Sequence, residues 1–300
     1  MFHNKILPIA SLGVGVVIGV KYREWLNSSS KLYLPTVSAA ASTSTPSLTD
    51  TAVALTLSPS KRSAEIMKYG HPGSDVRSYD NFVLSYDRRN RNSHWVFEHL
   101  APDLLNIKDT DRNKSTFLED PSIHYFFRST NDDYKCSGYD RGHLAAARNH
   151  RHSQRALDQT FFLTNVAPQV GSGFNRGIWN NLEKFVRAKV RKNRNVYVCT
   201  GPLYLPRKEG DGKLYVKYEV IGRNHVAVPT HFFKVVLIED NNGDFELLSF
   251  VLPNQATPDN TPLKNFMVPV DSIEKAAGLL LFNSLPKAKL KTINGNKVQY

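Results

Sequence analysis

The chain has 300 residues, of which 41% are hydrophobic and 22% are charged. These values are ordinary for a globular protein and exclude a wholly disordered chain, a fibrous repeat and a protein with many membrane spans. Two cysteines, Cys136 and Cys199, are too few for a disulfide scaffold. The net charge of +12 favours a polyanionic partner such as nucleic acid, although a basic protein can also be basic for solubility alone.

The first sixty residues have the composition of a targeting segment followed by a linker. Residues 6–20 are uncharged, with Lys5 before them and Lys21 and Arg23 after them. This run is shorter than a usual bilayer span, and no small-residue cleavage site for secretion follows it closely. Because the segment is also poor in acids and rich in serine, we expect a mitochondrial presequence or a short inner-membrane anchor. The Ser/Thr-rich residues 36–60 predict a linker.

The remaining residues predict one α+β domain at 61–285, with a C-terminal tail at 286–300. This part keeps about +10 of the net charge. Runs of β-branched and aromatic residues predict an antiparallel sheet with strands at 81–86, 160–165, 195–200, 214–221, 225–238 and 245–252. The third strand is expected to stop at Gly201-Pro202, and residues 240–243 are expected to form the turn before the last strand.

Two helices are predicted to flank this sheet. Apolar residues at helical spacing predict an amphipathic helix over 178–192, whose second half is strongly basic. A second helix is predicted over 270–281, with Asp271 or Ser272 as its N-terminal cap.

The segment Asp140-Arg-Gly-His143 is the first that suggests chemistry. In an extended segment Arg141 and His143 share a face, since they are two residues apart. A guanidinium can grip a phosphate oxygen, and a neutral imidazole can take a proton from a nearby water. We expect most other histidines to be structural or surface groups: His3, His71, His94, His99, His150, His152, His225 and His231.

Residues 140–147, Asp-Arg-Gly-His-Leu-Ala-Ala-Ala, resemble the signature of the DNA/RNA non-specific endonucleases with a ββα-metal site. Further similar stretches follow in order: Asn149–Arg151, Thr164–Gln169, Phe174–Arg176, Trp179–Glu183, Val198–Leu203, Val216–Val220, Pro229–Phe232 and Pro253–Gln255. The resemblance implies a ββα-metal, or His-Me finger, nuclease fold. It also implies a mitochondrial enzyme that hydrolyses DNA and RNA with little sequence specificity and leaves 5′-phosphate ends.

The resemblance also implies a role for individual side chains. His143 would be the general base, Asn175 the single protein ligand of a divalent metal, and Glu183 the carboxylate that holds metal-bound water. Three arginines would bind substrate phosphate: Arg141, Arg187 and Arg112. The metal is expected to be Mg²⁺, with Mn²⁺ as a substitute, because Mg²⁺ keeps several waters and tolerates few protein ligands. An unshifted imidazole predicts that activity falls below about pH 6.

The resemblance extends to partners and location. It implies a homodimer in the intermembrane space or on the inner membrane, and in the nucleus after release. It further implies roles in DNA degradation during apoptosis and in the maintenance of mitochondrial DNA.

Several alternatives remain open from the sequence. The same fold could be a catalytically silent module that binds nucleic acid or another polyanion. A cationic helix could also bind anionic lipid, unless Trp179 and Phe185 face the core. Arg148 either adds a phosphate contact or points to solvent. Cys136 is either a redox-sensitive thiol or, as we expect, a buried inert one.

Overall fold

A computed structural model describes residues 61–69, 75–107 and 109–298. The predicted targeting segment and linker at 1–60 therefore lie outside the described residues. Within the described ranges, no helix has both the length and the apolar character needed to cross a bilayer.

A large sheet forms the centre of the fold. The strands of the described residues are β1 (Val76–Ser78), β2 (Phe82–Asp87), β3 (Asn92–Leu100), β4 (Tyr139–His143), β5 (Val166–Val170), β6 (Asn195–Leu203), β7 (Arg207–Lys208), β8 (Leu214–Tyr215), β9 (Val220–Ile221), β10 (Val226–Ala227), β11 (His231–Glu239), β12 (Phe245–Pro253), β13 (Leu290–Ile293) and β14 (Asn296–Lys297). Eight of them form one sheet in the order β1-β2-β3-β6-β11-β12-β13-β14. Every neighbouring pair in it is antiparallel except β12 and β13, which run parallel. The predicted α+β class with an antiparallel central sheet is confirmed.

Short helices surround the sheet. In the described part of the chain they are α1 (Lys61–Ile66), α2 (Pro102–Asn106), α3 (Asn131–Tyr134), α4 (Gln154–Gln159), α5 (Asn180–Val190) and α6 (Val270–Ala277). The amphipathic helix α5 lies close to the predicted position and buries Leu182, Val186 and Val190 in the main core. Burial of each such side chain stabilises the fold by about 1.5–3 kcal/mol.

The apolar side of α5 is occupied by the core. Trp179, just before the helix, is buried, and Phe185 packs against the same core cluster. An amphipathic helix needs an exposed apolar face to lie on a membrane. The lipid-binding alternative therefore loses its physical basis.

The predicted strand at 160–165 is wrong. Residues 163–165 form a 3-10 turn, and the strand β5 begins only at Val166. The reason is the side chain of Asn165, which donates to the backbone oxygens of Ala145 and Thr160 and accepts from the backbone N–H of Ala145. These bonds hold the chain in a turn despite its β-forming composition.

Three other strand predictions need correction. The strand β6 continues through Gly201 and Pro202 to Leu203, still paired with β11. Its register with β3 ends at Thr200, and a strand with one partner tolerates a residue without an N–H. The predicted strand 214–221 consists of the short strands β8 and β9, and 225–238 divides into β10 and β11. Pro229 lies in the break between β10 and β11.

The C-terminal part also differs from expectation. Helix α6 ends at Ala277 because Gly278 follows it with φ 68°, the left-handed conformation that terminates helices. Its N-cap position is Pro269, without a side-chain cap, so the predicted caps at Asp271 or Ser272 are wrong. Beyond residue 285, where we expected a tail, β13 pairs with β12 and extends the main sheet.

Candidate active site

Two strands and a helix carry most of the predicted site residues. The strand β4 pairs antiparallel with β5, and His143 lies opposite Val166. The strand β5 leads directly into an irregular helical segment, Gly171–Trp179, which continues into α5. This β4–β5–α5 unit positions His143, Asn175, Glu183 and Arg187 within one supersecondary motif.

His143 is held between two aromatic rings in a partly buried position. Its ring centroid lies 5.3 Å from that of Phe117 and 4.7 Å from that of Phe161. Its Nε2 atom is buried and has no hydrogen-bond partner among the described residues. Burial, with the positive charges of Arg112 and His150, lowers the pKa of His143 to about 3. The lowered pKa keeps the imidazole neutral at pH 6, where an unshifted imidazole would begin to protonate.

The same aromatic pair supports two of the predicted phosphate-binding arginines. The guanidinium of Arg141 lies 4.3 Å from the ring centroid of Phe117, and that of Arg112 lies 4.0 Å from that of Phe161. The two rings are 5.0 Å apart. Stacking over an aromatic face stabilises a guanidinium and leaves its N–H groups available. The structure therefore brings Arg112 and Arg141 together with His143.

Asn175 is tied to the strand that carries His143. Its Nδ2 atom donates to Oδ2 of Asp140 over 2.9 Å, and Arg176 donates to both oxygens of the same carboxylate. An ionised carboxylate only accepts hydrogen bonds, so the amide nitrogen of Asn175 must face Asp140. Its carbonyl oxygen Oδ1 consequently points away from Asp140 and is the atom that can act as a ligand.

Glu183 and Arg187 lie on one face of α5, as their spacing predicts. Arg187 Nη1 is 3.8 Å from Glu183 Oε2 and donates to Oδ1 of Asn149 over 3.4 Å. Burial raises the pKa of Glu183, while the positive charges of Lys234 and Arg187 oppose the rise. Arg187 Nη2 is buried and has no hydrogen-bond partner among the described residues.

Three buried ionisable residues at this site were not identified from the sequence as functional: Glu98, His150 and Lys234. Oε1 of Glu98 accepts from Asn149 Nδ2 and from His150 Nε2, each over 2.9 Å. Burial raises the pKa of Glu98, but the His150 hydrogen bond and nearby positive charge outweigh it, and the pKa lies below its usual value. No local pattern identifies Glu98 or Lys234, since the sequences of β3 and β11 are those of ordinary apolar strands with one internal charge each.

Comparison with known proteins agrees with this geometry. The family model of the DNA/RNA non-specific endonucleases matches residues 62–288. The chain belongs to that family. It is 55% identical to the mitochondrial endonuclease G of Caenorhabditis elegans over 238 residues, covering 79% of this chain and 77% of the relative. It is also 55% identical to the human mitochondrial endonuclease G over 232 residues, covering 76% of this chain and 77% of the relative.

A solved structure supports the same assignment. The crystal structure of the EndoG/EndoGI complex is similar to this nuclease with a TM-score of 0.78 and 56% sequence identity, covering 81% of this chain and all of that one. The expected ββα-metal fold, the enzyme class of a non-specific DNA and RNA endonuclease and the mitochondrial location are confirmed. Since the chain is an enzyme of this family, the alternative of a catalytically silent module that binds nucleic acid is not favoured.

The nuclease is metal-dependent, and the residues present fit a lightly held cation. Among the described residues, no group of three His, Cys, Asp or Glu side chains could hold a metal ion. Asn175 offers a neutral oxygen that its bond to Asp140 directs away from that carboxylate. Glu183 adds a mostly buried carboxylate, with a side chain 15% exposed. Few oxygen ligands suit a hard cation that keeps its waters, and they do not suit zinc.

Two residues that the sequence left open can now be located in the nuclease. Arg148 is exposed in the 3-10 turn Ala147–Asn149. Its positive charge opposes the rise that burial causes in the pKa of Glu183 and adds to the lowering of the pKa of Arg187. Cys136 is exposed, so the expectation of a buried thiol is wrong. Cys199 is the buried cysteine, and burial raises the pKa of its thiol.

Proposed function

We propose that this nuclease hydrolyses phosphodiester bonds with His143 as general base and with a Mg²⁺ ion bound through Asn175 and, by way of water, Glu183. Mn²⁺ would substitute for Mg²⁺. The observation that carries this proposal is the hydrogen bond from Asn175 to Asp140, because Asp140 lies on the same strand as His143. It links the candidate metal ligand directly to the strand of the candidate base.

The base is prepared by its surroundings. The lowered pKa of His143 keeps its imidazole neutral, so that a ring nitrogen can accept the proton of an attacking water. Phe117 and Phe161 fix the ring by packing against it. Held in this way, the imidazole needs little reorganisation when the substrate binds.

The arginines would hold the scissile phosphate. Arg141 and Arg112 present guanidinium groups stacked on Phe117 and Phe161, and Arg187 has a buried Nη2 with no hydrogen-bond partner among the described residues. When bound, the metal ion would stabilise negative charge on the phosphate and on the leaving oxygen. In-line attack of water on phosphorus would break the bond to the 3′ oxygen, which takes up a proton from solvent, and would leave a 5′-phosphate and a 3′-hydroxyl.

These contacts also account for low sequence specificity. Phosphate contacts position a nucleic acid without reading its bases. Binding should therefore weaken steeply as salt increases, for DNA and RNA alike.

The test is cleavage of supercoiled plasmid and of RNA by the full chain, with Mg²⁺ and with excess EDTA. His143→Ala and Asn175→Ala are expected to abolish most cleavage of both substrates, as EDTA does. His94→Ala is the matched control, since His94 is exposed and paired with Asp87. Cleavage by His143→Ala at the rate of the control would refute the proposed base.

We also propose that the chain acts as a homodimer. Several apolar side chains outside the main sheet are exposed: Leu214, Val216 and Val220. Burying such side chains between two copies would be favourable. Sedimentation velocity should give a dimer for the wild type and a shift towards monomer for Val216→Asp, and a monomeric wild type would contradict the proposal.

For the N-terminal sixty residues we propose mitochondrial targeting, with residues 6–20 as a presequence or anchor. A fluorescent reporter fused to residues 1–60 should enter mitochondria. A secreted or cytosolic reporter would contradict this assignment.

A further inference from the structure

A buried asparagine connects the sheet to the phosphate-binding arginine of α5. Asn149 is 6% exposed, Glu98 is 1% exposed and Arg187 is 6% exposed. Asn149 Nδ2 donates to Glu98 Oε1 over 2.9 Å, and Asn149 Oδ1 accepts from Arg187 Nη1 over 3.4 Å. Each end of one amide thus binds a different charged group.

The chemistry of its two partners permits only one orientation of this amide. A carboxylate can only accept hydrogen bonds, and a guanidinium can only donate them. If the Asn149 amide flipped, its oxygen would face Glu98 and its nitrogen would face Arg187, so both bonds would be lost. Buried polar groups that are left without hydrogen-bond partners destabilise the fold. Glu98 and Arg187 therefore fix the amide, and the amide fixes the guanidinium.

The Glu98 end of this connection is itself held firmly. His150 Nε2 donates to the same oxygen, Glu98 Oε1, over 2.9 Å, and His150 is 1% exposed. Glu98 lies inside the central sheet, where β3 pairs with both β2 and β6. The amide is thus anchored to an interior strand of the central sheet.

At the Arg187 end, one guanidinium nitrogen has no hydrogen-bond acceptor among the described residues. Nη1 is used by Asn149 and lies 3.8 Å from Glu183, whereas the buried Nη2 has no partner among the described residues. A buried donor without a partner is costly unless a ligand completes it. A non-bridging phosphate oxygen is an acceptor that suits it.

We propose that Asn149 is a positioning residue of the nuclease: anchored by Glu98, it holds Arg187 so that Nη2 is directed to a phosphate oxygen of the substrate. This inference rests on the phosphate-binding role proposed above for Arg187. It adds a residue that touches neither substrate nor metal but sets the direction of a group that does.

The experiment is a double-mutant cycle on kcat/KM for plasmid cleavage, using Asn149→Ala, Arg187→Ala and the double variant. We expect Asn149→Ala to lower kcat/KM by roughly ten- to hundredfold, the loss typical of a misplaced reacting group. In the Arg187→Ala background the same change should alter kcat/KM by less than about twofold, because its effect passes through Arg187.

Asn195→Ala is the matched control. Asn195 also bridges two groups, donating to Glu239 over 2.7 Å and pairing with His99 over 2.8 Å, but it contacts neither Glu183 nor Arg187. Its loss should lower thermal stability and leave kcat/KM unchanged. If Asn149→Ala does not fold, Asn149→Ser is used in the same cycle, since it removes the amide with a smaller cavity.

The outcomes separate the two proposals. If Asn149→Ala lowers kcat/KM equally in the wild-type and Arg187→Ala backgrounds, Asn149 has a general structural role and the inference is overturned. If folded Asn149→Ala is fully active while Arg187→Ala is impaired, the positioning role of Asn149 is overturned and the phosphate-binding role of Arg187 still stands. Full activity of Arg187→Ala would instead refute the phosphate-binding role of Arg187, and the inference with it.

Discussion

The amide nitrogen of Asn175 donates a hydrogen bond to Asp140 over 2.9 Å, and this bond orients the carbonyl oxygen of Asn175 away from the Asp140 carboxylate. Asp140 opens the four-residue motif that ends at His143, so the first residue of the motif acts on the candidate metal ligand and the last is the candidate base. The carboxylate at position 140 thus orients the candidate metal ligand, although it has no direct part in the proposed chemistry.

Asp140→Ala should weaken metal binding. Without the carboxylate, the Asn175 amide is free to rotate, and loss of such a supporting partner typically costs about 10- to 100-fold in metal affinity or activity. The measurement is cleavage rate against Mg²⁺ concentration, with Asp244→Ala as a control because the Asp244 side chain forms an ion pair with Lys291 at the surface. A half-saturating Mg²⁺ concentration equal to that of wild type would contradict the role given to Asp140.

The acid side of the pH profile should lack a histidine step near pH 6.5. The pKa of His143 is lowered to about 3, so its neutral form, which is the base, persists as the pH falls. We expect kcat/KM at saturating Mg²⁺ to change little between pH 7 and pH 5. Circular dichroism at each pH confirms that the fold persists. A fall in kcat/KM with a midpoint near pH 6.5 would contradict a desolvated neutral imidazole.

Gly142→Ala should disrupt the β4–β5 pair. A Cβ atom at residue 142 would lie 2.1 Å from the side chain of Gln169, which is buried on the facing strand. Such overpacking typically costs about 1–3 kcal/mol. We expect a lower melting temperature and little cleavage.

The matched rescue for this variant is Gln169→Ala. Because the atoms that clash belong to the Gln169 side chain, the double variant should be more stable than Gly142→Ala alone. Equal melting temperatures for the single and double variants would place the conflict elsewhere.

Arg148→Ala should weaken substrate binding and its salt dependence. Arg148 is exposed and acts electrostatically on Glu183 and Arg187, so an approaching phosphate meets its charge as well. Losing one phosphate contact reduces the slope of log affinity against log salt by about 1. The measurement is DNA affinity of the His143→Ala protein with and without this change, at several salt concentrations. An unchanged slope would show that Arg148 makes no phosphate contact and points to solvent.

Local sequence patterns predicted much of the sheet but not its exceptions. Strands such as Phe82–Asp87 and Phe245–Pro253 follow their β-branched and aromatic runs closely. Residues 160–165 have the same composition, yet the side chain of Asn165 binds the backbone of Ala145, twenty residues earlier, and forms a turn. A single polar side chain with a distant partner overrides local propensity there.

The candidate site divides in a similar way. Arg141 and His143 were suggested by their two-residue spacing, whereas the roles of Glu183 and Arg187 came from the resemblance to the nuclease family. Glu98 was not predicted, because its contact with Asn149 spans 51 residues and depends on the packing of β3 against the turn after β4. The packing around His143 likewise depends on distant Phe117 and Phe161, which no local spacing reveals.

The role of His143 as general base is tested by the rescue of His143→Ala with free imidazole. A general base contributes about 10²–10⁴-fold to the rate, and removing the His143 ring leaves space between Phe117 and Phe161 for a small base. At saturating Mg²⁺ we expect plasmid cleavage to fall by that range and to recover in a saturable manner as imidazole is added. Cleavage by His143→Ala at the wild-type rate without imidazole would contradict the account.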